Sequence, residues 1–153
     1  MIIEDWSKLK IALEKEKLQN KKIVFTNGCF DIIHPGHVQY LYDSKSLGAI
    51  LVVALNTDSS VRKLKGETRP INNQTDRLIV MDALKPVDYV TLFDEDTPLE
   101  IIKTINPDII TKGGDYTPES VVGADHVLSN GGKVEIIKFV PNKSTTNIIN
   151  KMA

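Results

Sequence analysis

"KIVFTNGCFDIIHPGH", Lys22 to His37, decides the fold. It opens on a short apolar run rich in β-branched residues, breaks at Gly28, and reaches a proline-led helix start at Pro35. A fully apolar run of this length reads as a strand buried on both faces, and such strands belong to parallel sheets. Pro35 suits the first helical position, and the residue before a proline is pushed out of the helical region. His34 is therefore expected as the N-cap, with His37 inside the first turn. Both imidazoles then flank a helix N-terminus, where unpaired backbone N–H groups and a partial positive charge favour phosphate. Gly28 and Gly36 let a ligand approach the backbone.

Outward from this stretch the same alternation repeats. Further strands are expected at Ile50–Leu55, Tyr89–Leu92, Asp108–Thr111 and Val134–Phe139. Helices are expected at Pro35–Leu47, Asp58–Leu64, Thr75–Ala83, Pro98–Ile105, Val121–Ser129 and from Ser144 onward. Strand and helix alternating with connections too long for hairpins imply an α/β fold, a Rossmann-like parallel sheet flanked by helices, in a single domain. Residues 1–20 are expected to form an N-terminal helix, Asp5 to Asn20, that docks on a core of residues 21–153 through Trp6, Leu9, Leu13 and Leu18. The stretch Lys63 to Gln74 is the expected mobile loop.

The 153 residues suit one core, and 41% hydrophobic with 25% charged residues is ordinary for a folded chain. A net charge of -1 excludes the broad positive field of a nucleic-acid or membrane-surface binder, so phosphate has to be held locally. Cys29 is the only cysteine, so no intrachain disulfide forms. The acidic start and the lack of a long apolar run place the protein in the cytoplasm as an expectation. "HPGH" lacks the His-Glu-x-x-His spacing of a zinc helix, and no protein-held metal is expected.

Four other clusters carry candidate chemistry. "NKSTTNIIN" sets Ser144, Thr145 and Thr146 at the start of the last helix. "IITKGGDYTPE" ends a strand on Lys112, Gly113, Gly114 and Asp115, where bare backbone can meet a purine and a carboxylate can take a ribose hydroxyl. "ALNTDSSVRKLKGETRPIN" places Asn56 and Asp58 after the second strand, followed by the basic residues Arg62, Lys63, Lys65 and Arg69 on a loop. Arg77 begins a helix with a buried face and is expected to turn its guanidinium into the crevice.

The element "GCFDIIHPGH" resembles the Gly-x-Phe-Asp…His-x-Gly-His motif of the cytidylyltransferase-like nucleotidyltransferase superfamily. With "VALNTDSSVRKLKGETRPIN", "DRLIVMDALKPVDYVTLFDEDTP", "PDIITKGGDYTPESVVGAD" and "STTNII", the chain from Lys21 onward resembles the D-glycero-β-D-manno-heptose 1-phosphate adenylyltransferases. That resemblance implies transfer of AMP from ATP to a heptose 1-phosphate, with release of pyrophosphate, for lipopolysaccharide core or surface glycan precursors. It implies Mg²⁺ carried mainly by the nucleotide phosphates, and leaves a homodimer or higher homo-oligomer open.

By the same resemblance, His34, His37, Lys65 and Arg77 form the expected catalytic set. Nucleotide contacts are expected from Gly28, Cys29 and Phe30, from His34, Gly36 and His37, from Gly113 and Asp115, and from Ser144, Thr145 and Thr146. Asp31, Asn56, Asp58, Lys63, Asp94 and Lys112 are the expected substrate side. Glycerol-3-phosphate cytidylyltransferase is the alternative within the superfamily; in it an arginine precedes the Ser-Thr-Thr element where Phe139 stands here. A non-catalytic nucleotide-binding module on the same fold is the alternative outside it.

Overall fold

The computed structural model describes residues 1–138 and 144–152. Phe139, and with it the end of the last expected strand, lies outside the described residues. Five strands, β1 (Ile23–Gly28), β2 (Ile50–Asn56), β3 (Tyr89–Phe93), β4 (Ile109–Gly113) and β5 (Lys133–Ile137), form one sheet in the order β3-β2-β1-β4-β5. Every pairing is parallel. Helices α1 (Trp6–Leu18), α2 (Pro35–Lys45), α3 (Asp58–Lys65), α4 (Gln74–Asp82), α5 (Leu99–Ile105), α6 (Ala124–Ser129) and α7 (Thr145–Met152) connect and cover it.

The two faces of the sheet follow from the period of two along each strand. Ile23 and Phe25 of β1, with Ile50, Val52 and Ala54 of β2, pack beneath α1, α5 and α6. Val24, Leu51, Val53 and Leu55 point the other way, onto Leu41 of α2 and Leu78 and Met81 of α4. All seven residues of β2 are buried, and its first six, Ile50 to Leu55, are continuously apolar rather than alternating. Each such aliphatic side chain contributes roughly 1.5–3 kcal/mol by leaving water.

Three local expectations change. Asp5 is the N-cap of α1, its carboxylate accepting from the Ser7 and Lys8 N–H groups. Leu9 and Leu13 enter the core, but Leu18 is 85% exposed, because it falls on the outer face of the last turn. The helix expected over Val121–Ser129 shortens to α6, and a separate 3-10 turn at Pro118–Ser120 precedes it. Gly123 between them sits at φ +85, and a Cβ there would come within 2.8 Å of Ile102 Cδ1, so close packing against α5 replaces a helical turn.

The third change concerns the expected mobile loop. Lys63 and Lys65 lie in the last turn of α3, not on a loop. The remaining connection, residues 66–73, is tied down by the carboxylate of Asp31, as described below.

The strand order places the switch point between β1 and β4. Chain leaves β1 toward α2 on one side, and β4 continues on the other, so a crevice opens at the carboxyl ends of these two strands.

Candidate active site

The floor of that crevice is the start of α2. His34 is extended at φ -137, ψ 169 and acts as N-cap. Its Nδ1 accepts from the Gly36 and His37 N–H groups at 3.1 and 3.4 Å, and His37 Nδ1 accepts from the His34 N–H at 3.4 Å. This is a capping box in which imidazoles replace the usual hydroxyl and carboxylate. With both Nδ1 atoms accepting, the hydrogen-bond pattern assigns the proton of each neutral ring to Nε2. The rings stack, with centroids 3.8 Å apart and planes at 23°.

Phe30 closes the other side of His37, with ring centroids 5.0 Å apart and tilted at 57°. Its backbone is left-handed, φ 46, a conformation that costs a non-glycine residue about 1–2 kcal/mol. A Cβ on Gly28 would lie 2.9 Å from the Phe30 ring, so glycine there lets the ring fold back over the strand end. Burial, then the neighbouring His34, push the His37 pKa from 6.5 down to about 4, against a hydrogen bond to the Ile32 backbone that raises it.

That shift has a stability consequence. Because the folded pKa lies below the unfolded one, the unfolded chain takes up the proton first as pH falls. Stability is unaffected above about 6.5, is lost between about 6.5 and 4, and levels off for this group below that range. Asp31, whose pKa is lowered in the fold, adds a second loss as pH falls through and below its ordinary value of 3.8. Thermal unfolding followed from pH 7.5 to 3 is expected to show both stages, and His37→Gln to remove the upper one. A flat melting temperature between pH 6.5 and 4.5 would contradict the neutral, enclosed imidazole.

The second helix start meets the first. Ser144 Oγ accepts from the Asn147 N–H at 3.0 Å and so caps α7, while the Ser144 carbonyl accepts from Ile148 N–H. Thr145 Oγ1 donates to the Ile32 carbonyl at 3.0 Å, two residues before His34. Thr146 is exposed on the same first turn. The N-termini of α2 and α7 thus converge on one side of the sheet, although 113 positions separate the joined residues in sequence.

Cationic groups surround Cys29, between these ends and the neighbouring strands. Burial raises the thiol pKa, while the charges of Lys65, Arg77 and Arg69 oppose the rise. Lys112, at the end of β4, has its pKa lowered by burial and lies close enough to feel Cys29. Lys65 from α3 and Lys112 from β4 are therefore both near enough to Cys29 to interact with it electrostatically. Lys112 Nζ also sits 5.3 Å from the centre of the Tyr116 ring, a contact that nothing in the sequence pattern signals. Gly113 ends β4, Gly114 turns at φ +109, and Asp115 is exposed beyond it.

Several residues expected to meet a ligand have protein partners in the structure. Asp31 is 3% exposed; its carboxylate accepts from Arg69 Nε at 2.8 Å and from the Ile71 and Asn72 N–H groups at 2.9–3.0 Å. Burial alone would raise its pKa, but the two backbone donors and Arg69 hold it down. No substrate hydroxyl is needed to satisfy it. Arg77, expected to clamp phosphate, donates from Nε to the Asn72 carbonyl, from one terminal nitrogen to the Cys29 carbonyl and from the other to Asp58, at 2.8–3.0 Å. Its side chain is 1% exposed, so its charge sets the shape of the turn rather than facing the crevice. Asn56 is likewise buried, bonded to Ser60 Oγ and approached by the Cys29 thiol.

Asp58 and Asp94 border a cavity of about 700 Å³ at the ends of β2 and β3, whose lining does not include the histidines. Its polar lining also includes Ser59, Arg62, Gln74 and Asp76. Asp94 accepts from Ser59 Oγ at 2.6 Å and from Thr57 Oγ1, and these two bonds lower its pKa; Lys63 adds to the effect. The sequence pattern marked the carboxylates but missed Gln74, whose Oε1 accepts from the Asp58 N–H at 2.9 Å.

Comparison with known proteins adds independent findings. Residues 25–151 match a family model described as cytidylyltransferase-like. The chain is 57% identical over 140 residues to the bifunctional protein HldE of Geobacter metallireducens, covering 92% of this chain and 29% of that protein. It is 57% identical over 145 residues to the bifunctional protein HldE of Marinomonas sp., covering 93% of this chain and 30% of that one. The chain thus spans about three tenths of the length of these relatives. A crystal structure of the lipopolysaccharide core biosynthesis protein from Thermoplasma volcanium superposes with a TM-score of 0.64 at 33% identity, covering 80% of this chain and 99% of that one.

Proposed function

Because this chain belongs to the cytidylyltransferase-like family, we propose that it is a nucleotidyltransferase that moves AMP from ATP onto D-glycero-β-D-manno-heptose 1-phosphate, giving ADP-heptose and pyrophosphate. The observation that carries the reading is the convergence of the α2 and α7 N-termini, joined through the Ile32 carbonyl and furnished with two imidazoles and two threonines. The choice of sugar and base rests on the relatives named HldE and on the neighbour named for lipopolysaccharide core biosynthesis.

In this reading an oxygen of the sugar phosphate attacks the α-phosphorus in line. The bond from that phosphorus to the bridging oxygen breaks, and pyrophosphate leaves opposite the attack. The attacking phosphate is already ionised near neutral pH, so the protein supplies position and charge stabilisation rather than a base. His34 and His37 serve the transferring and leaving groups, and the arriving anion raises the His37 pKa from its low resting value. Ser144, Thr145 and Thr146 hold the far end of the triphosphate with the free N–H groups of α7.

Lys65 and Lys112, both near Cys29, neutralise the phosphates. Gly113 and Asp115 receive the purine ribose, and the polar cavity at Asp58 and Asp94 receives sugar hydroxyls. Mg²⁺ enters with ATP as part of the substrate, held by phosphate oxygens. That suits a site whose nearest carboxylates, Asp31 and Asp58, are already paired with Arg69 and Arg77. Among the described residues no helix is long and apolar enough to cross a membrane, and the reading places the protein in the cytoplasm.

Pyrophosphate release measured with ATP, CTP and GTP against heptose 1-phosphate and glycerol 3-phosphate tests the substrate assignment. Turnover is expected with ATP and heptose 1-phosphate. Turnover confined to CTP and glycerol 3-phosphate would replace it with the cytidylyl reading.

A further inference from the structure

Beneath the crevice, four hydroxyls meet where aliphatic packing would be expected. Tyr40 of α2 places its phenol 2.7 Å from Thr26 Oγ1 of β1 and 3.2 Å from Thr111 Oγ1 of β4. Ser44, one helical turn further along α2, lies 2.9 Å from the same Thr111 Oγ1, and Thr26 Oγ1 also reaches the Thr111 carbonyl at 3.3 Å. Thr26, Ser44 and Thr111 are at most 1% exposed. Burial raises the Tyr40 pKa, against the bonds from Thr111, Thr26 and Ser44, so the phenol stays protonated and able to donate.

Aliphatic contacts hold a helix against a sheet without fixing its slide or rotation, whereas directional bonds do both. These bonds join α2 to the two strands that border the switch point, close to the residues that face the ligand. Tyr40 follows His37 by three positions, less than one helical turn, and Thr111 directly precedes Lys112. We infer that the Tyr40 hydroxyl, through Thr26 and Thr111, is a positioning group that sets the height and rotation of α2, and so aims His34 and His37 relative to Lys112. The inference rests on the nucleotidyltransferase reading for its rate measurement only.

Tyr40→Phe separates aim from folding. It keeps the ring and leaves no buried oxygen orphaned, since Thr111 retains Ser44 and Thr26 retains the Thr111 carbonyl. The expected result is a kcat about ten- to a hundredfold lower, the scale of a small misplacement of reacting groups, with KM for ATP within about twofold. Thr111→Val is expected to act in the same direction, and Thr111→Ser to stay near wild type. Both Tyr40→Phe and Thr111→Val are expected to shift the ring ¹⁵N resonances of His34 and His37 in the ligand-free protein.

The resonance measurement needs no turnover, so it stands even if the wild-type protein releases no pyrophosphate with any pair offered, a result that sinks the proposed function alone. Unchanged imidazole resonances in both variants would overturn the positioning role. So would a Tyr40→Phe enzyme with wild-type kcat, or one altered only in KM.

Discussion

Replacing His37 by alanine is expected to lower turnover by about two to three powers of ten, the usual cost of removing one preorganised donor to a transition-state oxyanion. The fold is expected to survive. His37 contributes one backbone cap to His34, a hydrogen bond to the Ile32 backbone and a stacked ring, whereas the bonds from Gly36 and residue 37 N–H to His34 Nδ1 persist without its side chain. The stability loss is therefore that of a helix cap, about 1 kcal/mol. The loss should fall on kcat more than on KM, because the imidazole is aimed at charge that grows as the α-phosphorus bond is exchanged. A His37→Ala enzyme with near-normal turnover and normal circular dichroism would remove the histidine pair from the chemistry.

The largest expected effect on stability comes from Asp31→Ala, about 3–5 kcal/mol, the range for removing one partner of a buried ion pair. Asp31 and Arg69 have side chains only 1% and 12% exposed. Deleting the carboxylate strands the guanidinium and the Ile71 and Asn72 N–H groups, all of which converge on it. Its loss also frees the 66–73 connection from the Gly28–Asp31 turn. Asp31→Asn keeps an acceptor and is expected to lose less. Urea unfolding measures both; a loss below about 1 kcal/mol for the alanine variant would show that the turn is held by Arg77 instead.

The Asp31 result marks where sequence reading stops. "GCFDIIHPGH" discloses a strand end, a helix start and two histidines, because Pro35 and the glycines act locally on the backbone. The strands were legible for a different reason: a core strand of a parallel sheet has no polar face, and β2 shows this from Ile50 to Leu55. Asp31 meets residues 38 to 41 positions away and Arg77 residues 5, 19 and 48 positions away, and no local pattern reveals whether a charge meets a ligand or another side chain. Both read as ligand contacts in the sequence, and in the fold both hold protein partners as well.

Other differences have the same origin. The helix expected from Val121 starts only after Gly123, where Ile102 of α5 packs close, a contact between separate elements. Tyr40 reads as one more residue on an amphipathic helix, and only the approach of β1 and β4 exposes its hydroxyl partners. The juxtaposition of the "HPGH" and "STTNII" helix starts was an expectation from resemblance; the bond from Thr145 to Ile32 is its structural expression.

The account depends on one triphosphate spanning both helix starts. Amide chemical shifts recorded while the isotopically labelled protein is titrated with a non-hydrolysable ATP analogue and Mg²⁺ test this directly. Saturating shifts are predicted together at Gly36 and His37 in α2 and at Thr145 and Thr146 in α7, with one shared dissociation constant. Shifts confined to one helix start, or to neither, would contradict it.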